Sequence, residues 1–312
     1  MLPDQSRIQR PSFWRNRKTL ALLVVATITI AAVLLALHLR RSSYLTTEIL
    51  VLGDSQLSFG AGPVLSTFFA DLPNACRADV ARPNDLTLLE GKRFAMIGTR
   101  STSLQSWVQS DGRAWELLCH KDKRWGVNAS AWGTVKPAER RYIQVGEGDK
   151  FQFCQQPKPP LANLLSDGYY QPQLLMVFVG GNGARRLARS QQAANADVTR
   201  FVARLPAHIG CIFMMTAPIY SESHNTTRVV AQANLRAAFA THGRRCAFVD
   251  GHTSATRAAI EGQPQFFKRD NEGNVTDPYH ADAQAAARFL ALRRPALCRA
   301  LASQFRRRAA AQ

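Results

Sequence analysis

The stretch Leu50–Gly60, LVLGDSQLSFG, decides how the rest of the chain is read. The apolar run Glu48–Leu52 (EILVL) stops at Gly53 and gives way to Asp54-Ser55. A short run of that kind, without polar alternation, suits a strand buried on both faces. Gly62–Leu72 then reads as a helix. The same rhythm returns downstream. Arg93–Ile97 (RFAMI) ends in Gly98 and precedes helical Ser103–Trp107. Leu174–Val179 (LLMVFV) ends in Gly180-Gly181-Asn182 and precedes helical Ala193–Leu205. Ile209–Thr216 is a fourth strand, followed by a helix over Val229–Ala240, and Cys246–Asp250 is a fifth, with Ala281–Leu292 as the closing helix. Strands alternating with helices predict an α/β fold whose parallel sheet is covered on both faces.

One region breaks the rhythm. Between Trp115 and Pro160 lie three tryptophans, two cysteines and an expected hairpin, Arg141–Phe153 (RYIQVGEGDKFQF), turning at Gly-Glu-Gly-Asp. We read it as an insertion over one rim of the sheet.

Thr19–Leu39 (TLALLVVATITIAAVLLALHL) carries no formal charge. At about 1.5 Å per residue it is long enough for a hydrocarbon core roughly 30 Å thick. Arg7, Arg10, Arg15, Arg17 and Lys18 precede it and only Arg40 and Arg41 follow. The positive-inside rule therefore predicts a cytoplasmic N-terminus (1–18), a signal-anchor in the inner membrane (19–39), a linker (40–47) and an exported domain (48–298) in the periplasm of a bacterial host. Residues 299–312 read as a basic tail. In an oxidising space some of the six cysteines pair. Cys119 with Cys154 and Cys211 with Cys246 are the favoured pairings, with connectivity left open.

The chain has 312 residues, is 46% hydrophobic and carries a formal charge of +18, enough apolar material for one sizeable domain and enough charge to favour anionic partners. The basic residues are scattered, with small clusters at Arg15–Lys18, Arg40–Arg41 and Arg306–Arg308, and no zinc-finger, RNA-recognition or basic-zipper pattern joins them. Nucleic acid is not an expected partner. The absence of C-x-x-C argues against structural zinc, and His280-x-Asp282 alone is a weak metal pair.

Three places carry apt chemistry. Ser55 follows the first strand, Asn182 follows the third, and Asp277-Pro278-Tyr279-His280 precedes the last helix. Each alone is an ordinary turn or cap. Together they suit one site. A serine hydroxyl needs a base, a histidine serves if a carboxylate fixes its tautomer, and an oxyanion needs aimed donors. Asp277 lies three residues before His280, close enough to reach Nδ1. Asn182, the Ser55 N–H and the loop beginning at Gly98 are the candidate donors.

This constellation resembles the SGNH (GDSL-like) hydrolase family. LVLGDSQLSFG is similar to its first block, FVGGN (Phe178–Asn182) to its third and DPYHADAQAAARFLA (Asp277–Ala291) to its fifth. The resemblance implies a flavodoxin-like three-layer α/β/α fold, Ser55, Asp277 and His280 as catalytic residues, Gly98 and Asn182 in the oxyanion hole, no metal and no cofactor. It departs from the family at Gly183, where an Asp often follows the asparagine, and in the long insertion. The expected activity is a serine esterase acting on acyl, chiefly O-acetyl, esters of envelope carbohydrate. The alternatives are an O-acyltransferase fed by a membrane acyl donor protein and a catalytically silent binding or assembly protein. Trp107, Trp115, Trp125 and Trp132 are candidate sugar-stacking surfaces or core of the insertion. A Gly-x-Ser-x-Gly elbow, which an α/β-hydrolase would carry, is absent.

The remaining histidines have blander readings. Asp250-Gly251-His252 reads as a strand-end turn with a surface histidine, and His120, His208, His224 and His242 as surface residues. Asn128, Asn225 and Asn274 sit in glycosylation sequons, relevant in a eukaryotic host.

Overall fold

A computed structural model of the chain describes residues 22–35, 47–119, 129–134, 140–143, 152–166, 170–243 and 245–310. Contacts divide the chain into two units, Met1–Tyr44 and Leu45–Gln312. In the first unit residues 22–35 form a helix, α1, whose side chains are all exposed. Thr27 and Thr29 turn their hydroxyls back onto the carbonyls of Leu23 and Val25, which hides two polar groups along an apolar rod. The rest of the predicted span, 19–21 and 36–39, lies outside the described residues, as do the N-terminus and most of the linker. Among the described residues no helix is long and apolar enough to cross a membrane.

The second unit begins with β1 (Ile49–Gly53), followed by a π-helical turn (Leu57–Ala61) and α2 (Gly62–Ala70), α3 (Leu72–Cys76) and α4 (Pro83–Thr87). Next come β2 (Phe94–Thr99), α5 (Leu104–Val108), α6 (Gly112–Cys119), β3 (Ala129–Thr134), β4 (Arg140–Ile143) and α7 (Pro160–Ser166). Then follow β5 (Leu174–Phe178), α8 (Ala184–Arg189), α9 (Gln191–Arg204), β6 (Gly210–Met214), α10 (Glu222–Ala240), β7 (Cys246–Val249) and α11 (Ser254–Ile260). A small ribbon of β8 (Phe267–Arg269) and β9 (Val275–Ala281) leads into α12 (Ala283–Ala309).

Every residue of β1 is buried, as its uninterrupted apolar pattern requires. Its side chains alternate between two cores. Leu50 and Leu52 pack with Leu104 of α5, Val198 of α9 and Leu235 of α10. Ile49 and Val51 pack with Leu65 of α2, Phe289 of α12 and Ile260 of α11. Each such side chain contributes about 1.5–3 kcal/mol by leaving water, so the strand is held from both faces.

The sheet order is β4-β3-β2-β1-β5-β6-β7. The five strands β2, β1, β5, β6 and β7 run parallel, in the order 2-1-3-4-5 when counted along the chain. That order is compatible with a flavodoxin-like fold. From β1 the chain goes outward to β2 and then returns to β5 on the other side of β1. The carboxyl ends of β1 and β5 therefore flank a switch point, where connections diverge and leave a crevice.

Three features differ from the sequence reading. The interrupting segment does not only cover a rim: β3 and β4 extend the sheet, antiparallel, beyond β2. The hairpin that forms is this one, earlier in the chain than Arg141–Phe153; residues 144–151 lie outside the described residues, and Gln152–Cys154 is a 3-10 turn. The supposed tail, 299–312, is helical as far as Ala309, because Leu297, Leu301 and Phe305 recur every four residues and are buried. Arg306 donates to the Asp85 carboxylate of α4, at 2.8 Å through Nε, so its charge serves as a clamp. Finally, Cys119–Cys154 and Cys211–Cys246 are joined by a third pair, Cys76–Cys298, which ties α3 to α12.

Candidate active site

The turn after β1 is built by short-range bonds. Asp54 N–H donates to the Phe178 carbonyl at the end of β5 (3.2 Å), and the buried Asp54 carboxylate accepts the Gln56 N–H (2.9 Å). Burial, the larger effect, raises the Asp54 pKa against the pull of that N–H, of Arg228 and of the Gly180 and Gly181 amides. Arg228 is itself 7% exposed, and burial lowers its pKa to about 10, which leaves it a cation at neutral pH. Ser55 follows on the first helical residues, half-buried at the cleft.

The histidine arrives on β9, a strand of the small ribbon, and not in a loop before the last helix as the sequence reading had it. Asp277 Oδ2 lies 2.8 Å from His280 Nδ1, and its Oδ1 accepts the N–H groups of Tyr279 (3.0 Å) and His280 (3.2 Å). One carboxylate thus fixes both the backbone and the ring. Those hydrogen bonds, with the nearby His280, hold the Asp277 pKa below its usual value despite partial burial. The last helix begins only at Ala283, capped by Asp282, whose Oδ1 accepts the Ala285 N–H at 2.8 Å. On the other side the His280 ring meets Phe59, with centroids 4.3 Å apart.

Two residues of the first block bring these arms together. A Cβ on Gly60 would fall 2.2 Å from the Ala281 carbonyl oxygen, so only glycine lets the π-helical turn approach β9. Gln56 Nε2 donates to the Ala217 carbonyl at 3.2 Å and reaches the Tyr279 carbonyl at 3.5 Å, beside His280. Among the described residues no hydrogen bond joins Ser55 to His280; such bonds commonly tighten only around substrate.

Asn182 stands after β5. Its Nδ2 donates one hydrogen to the Thr102 carbonyl (3.0 Å), which leaves the second available in a cleft that the residue lines. Thr102 is in turn fixed by its hydroxyl, which donates to the Thr99 carbonyl at 2.8 Å. Gly98, expected to supply an oxyanion donor, is not among the residues that line the cleft. It sits inside β2, opposite Gly53 on one side and Ser130 on the other. A Cβ there would come within 2.6 Å of Ser58 Oγ and 2.8 Å of Ser58 N, so its glycine serves close packing. The cleft is lined instead by Arg100 and Ser101. Ser101 has φ 59°, a left-handed conformation that costs a serine about 1–2 kcal/mol. Backbone strain of this kind gathers at functional turns, and it makes the Ser101 amide the better candidate for the third donor.

The cleft has a volume of about 480 Å³. Ser55, Asn182 and His280 line it, with Phe59 and Tyr279 among the apolar surfaces. His224, read as a plain surface residue, stands at its edge and bonds the Ser221 hydroxyl at 2.9 Å through Nδ1. Among the described residues no group of three or more His, Cys, Asp or Glu side chains could hold a metal ion.

Other sequence readings change. His252 is 4% exposed rather than on the surface. Its backbone is held by Gln232, while neither ring nitrogen has a hydrogen-bond partner among the described residues. Burial, with Arg228 and Arg257 nearby, pushes its pKa down to about 3. Asn225 is fully buried and exchanges hydrogen bonds with the Ile219 backbone at 3.0 and 2.7 Å, so it is closed to glycosylation in the folded protein. Trp107 and Trp115 belong to the core and offer no sugar-stacking face; Trp125, His120 and Asn128 lie outside the described residues.

No protein-family model matches the chain, and no curated protein matches it. Among solved structures it is similar to a DUF4886 family protein from Bacteroides uniformis, at 13% identity and a TM-score of 0.42, with 79% of this chain and 82% of that chain covered.

Proposed function

We propose that the chain is a serine ester hydrolase of the SGNH type, exported and membrane-anchored, that removes acyl groups, chiefly O-acetyl, from envelope carbohydrate. The observation that carries the reading is the Asp277–His280 hydrogen bond of 2.8 Å, on a ring lining the same cleft as Ser55 and Asn182. The placement of Ser55 and Asn182 at the switch point of the sheet supports it.

In this mechanism Ser55 Oγ attacks the ester carbonyl carbon while its proton passes to His280 Nε2. Asp277 keeps the tautomer that leaves Nε2 free and steadies the imidazolium. The oxyanion is held by the free Asn182 N–H and by the Ser55 and Ser101 amides. Collapse breaks the carbon–oxygen bond to the alcohol, which leaves with the proton from Nε2. Water then attacks the acyl-serine, gives a proton to Nε2, and the second collapse returns that proton to Ser55 and frees the acid. Each aimed donor contributes about 2.7–4 kcal/mol to the barrier reduction.

The three disulfides, which suit an oxidising compartment, support export. The exposed apolar side chains of α1, among them Leu22, Ile28 and Leu34, support an anchor. The test is hydrolysis of p-nitrophenyl acetate by the full chain in detergent. Activity is expected in the parent and its loss in Ser55→Ala and His280→Ala. Activity indifferent to both substitutions would remove the reading.

A further inference from the structure

His280 is carried on a bulge. Phe267 of β8 pairs with Ala281 and the next residue, Lys268, with Asp277, so Pro278, Tyr279 and His280 stand opposite no residue of the ribbon. Backbone bonds hold the bulge in place: the Pro278 carbonyl accepts the Tyr220 N–H at 3.0 Å, and the Tyr279 N–H donates to Asp277 Oδ1 at 3.0 Å. Successive side chains of a regular strand face opposite ways. Here Tyr279 and His280 line one cleft, as a bulge allows by re-aiming a side chain.

Among the residues whose side chains are described, the exposed phenyl and phenol rings are Phe59, at 38%, and Tyr279, at 47%, and both line this cleft. They differ in what they already touch. The Phe59 ring is taken up by the Arg100 guanidinium, 4.7 Å from its centroid, and by the His280 ring at 4.3 Å. Tyr279 meets the His224 ring edge-on, with centroids 5.9 Å apart and planes at 88°. His224 spends Nδ1 on the Ser221 hydroxyl, and its Nε2 has no partner among the described residues. An exposed aromatic ring with a hydrogen-bonding rim suits a ligand ring that has an apolar C–H face and hydroxyl edges, which is the character of a pyranose. In the proposed reaction His280 Nε2 returns its proton to the leaving alcohol oxygen, which must then lie within about 3 Å of it. The group on that oxygen falls beside Tyr279.

We propose that Tyr279 is a sugar-stacking platform on the alcohol side of the cleft, with His224 Nε2 at its rim for a ring hydroxyl, so that the favoured leaving alcohol is a pyranose. The alcohol-side placement rests on the esterase reading; the platform stands on the exposed ring and the bulge that aims it.

The test separates the two. Methyl pyranosides of glucose, galactose, mannose and N-acetylglucosamine are titrated into the full chain in a detergent without a sugar head group, followed by NMR, with sorbitol as the open-chain comparison. At least one pyranoside is expected to bind at least tenfold more tightly than sorbitol. The preference should fall to threefold or less in Tyr279→Ala and persist in Tyr279→Phe, since stacking needs the ring and not its hydroxyl. It should also persist in Leu292→Ala, which trims an exposed side chain of α12 outside the cleft. No preference in the parent, one that Tyr279→Ala leaves intact, or one lost equally in Tyr279→Phe overturns the platform. In parallel the 6-O-acetates of the same pyranosides are offered as substrates. A KM raised tenfold or more by Tyr279→Ala supports the alcohol-side placement, and a KM indifferent to that change overturns it. A Tyr279-dependent preference for pyranosides, without hydrolysis of these acetates or of p-nitrophenyl acetate, would retain the platform and defeat the esterase reading.

Discussion

Two acid–histidine pairs stand in this chain, one on β9 of the small ribbon and one just after β7 of the main sheet, and the fold treats them in opposite ways. At Asp277–His280 the carboxylate is spent on the histidine, binding Nδ1 and two backbone amides, and the ring lines a cleft. At Asp250–His252 the carboxylate turns outward to Arg236, while the ring is sealed in the interior with neither nitrogen bonded among the described residues. An imidazole of the first kind can take a proton and give it back. One of the second kind is kept neutral by burial, its pKa pushed down to about 3, and has no route to substrate. Proximity of an acid and a histidine in sequence therefore says little about chemistry; what the carboxylate is bonded to and what the ring faces decide it.

The comparison breaks most visibly in rate. His280→Ala is expected to lower kcat for p-nitrophenyl acetate by about 10³-fold or more, since members of such a unit fail together, whereas His252→Gln should stay within threefold. Equal losses would show that the two histidines are not different in kind. Asp277→Asn is expected to cost about 10²–10⁴-fold in kcat with little change in KM, because the tautomer and the imidazolium lose their support. Asp250→Asn, tested beside it, should leave kcat where it was.

The buried pair should reveal itself in stability instead. His252 has a folded pKa near 3 against 6.5 for the free side chain, so below 6.5 the unfolded chain binds a proton that the folded chain refuses. Its contribution is whole above about pH 6.5 and declines as pH falls toward 3, by about 1.4 kcal/mol per unit. Denaturant titrations of parent and His252→Gln over that window should diverge with this sign. Parallel curves would mean the ring is not held neutral. The smallest effect is expected at the cleft's strained turn: Ser101→Gly should raise the unfolding free energy by up to about 1 kcal/mol and Ser101→Val should lower it. No difference between the two would remove the strain argument for that amide.

Much of this was legible from residues alone, and the misses have physical causes. The alternation that placed β1, β2, β5, β6 and β7 is local, because strands buried on both faces have no polar residues to hide. Ser55 and Asn182 stood out for their chemical types at strand ends, and Asp277 and His280 for theirs just before the last helix. Gln56 and Thr102 did not, since their work is done through carbonyls brought near by the fold. Gly98 misled because glycine marks close packing and loop donors alike, and only Ser58 lying against it separates the two. Ser101 gave no signal, as serine rarely takes a left-handed conformation. The continuation of α12 had a signal, Leu297, Leu301 and Phe305 at helical spacing, obscured by Pro295 within the helix and by the arginines beyond it. His252 offered nothing: its backbone carbonyl accepts from Gln232 of α10, twenty residues away, a contact that only the fold brings about.

The most direct measurement is covalent labelling of the full chain with a fluorophosphonate, the adduct located by peptide mass. Labelling confined to Ser55, and slowed by about 10²-fold or more in His280→Ala but not in His252→Gln, is the expected result. An adduct on another residue, or labelling of Ser55 at the same rate without His280, would contradict the assignment of Ser55 as a nucleophile driven by the Asp277–His280 pair.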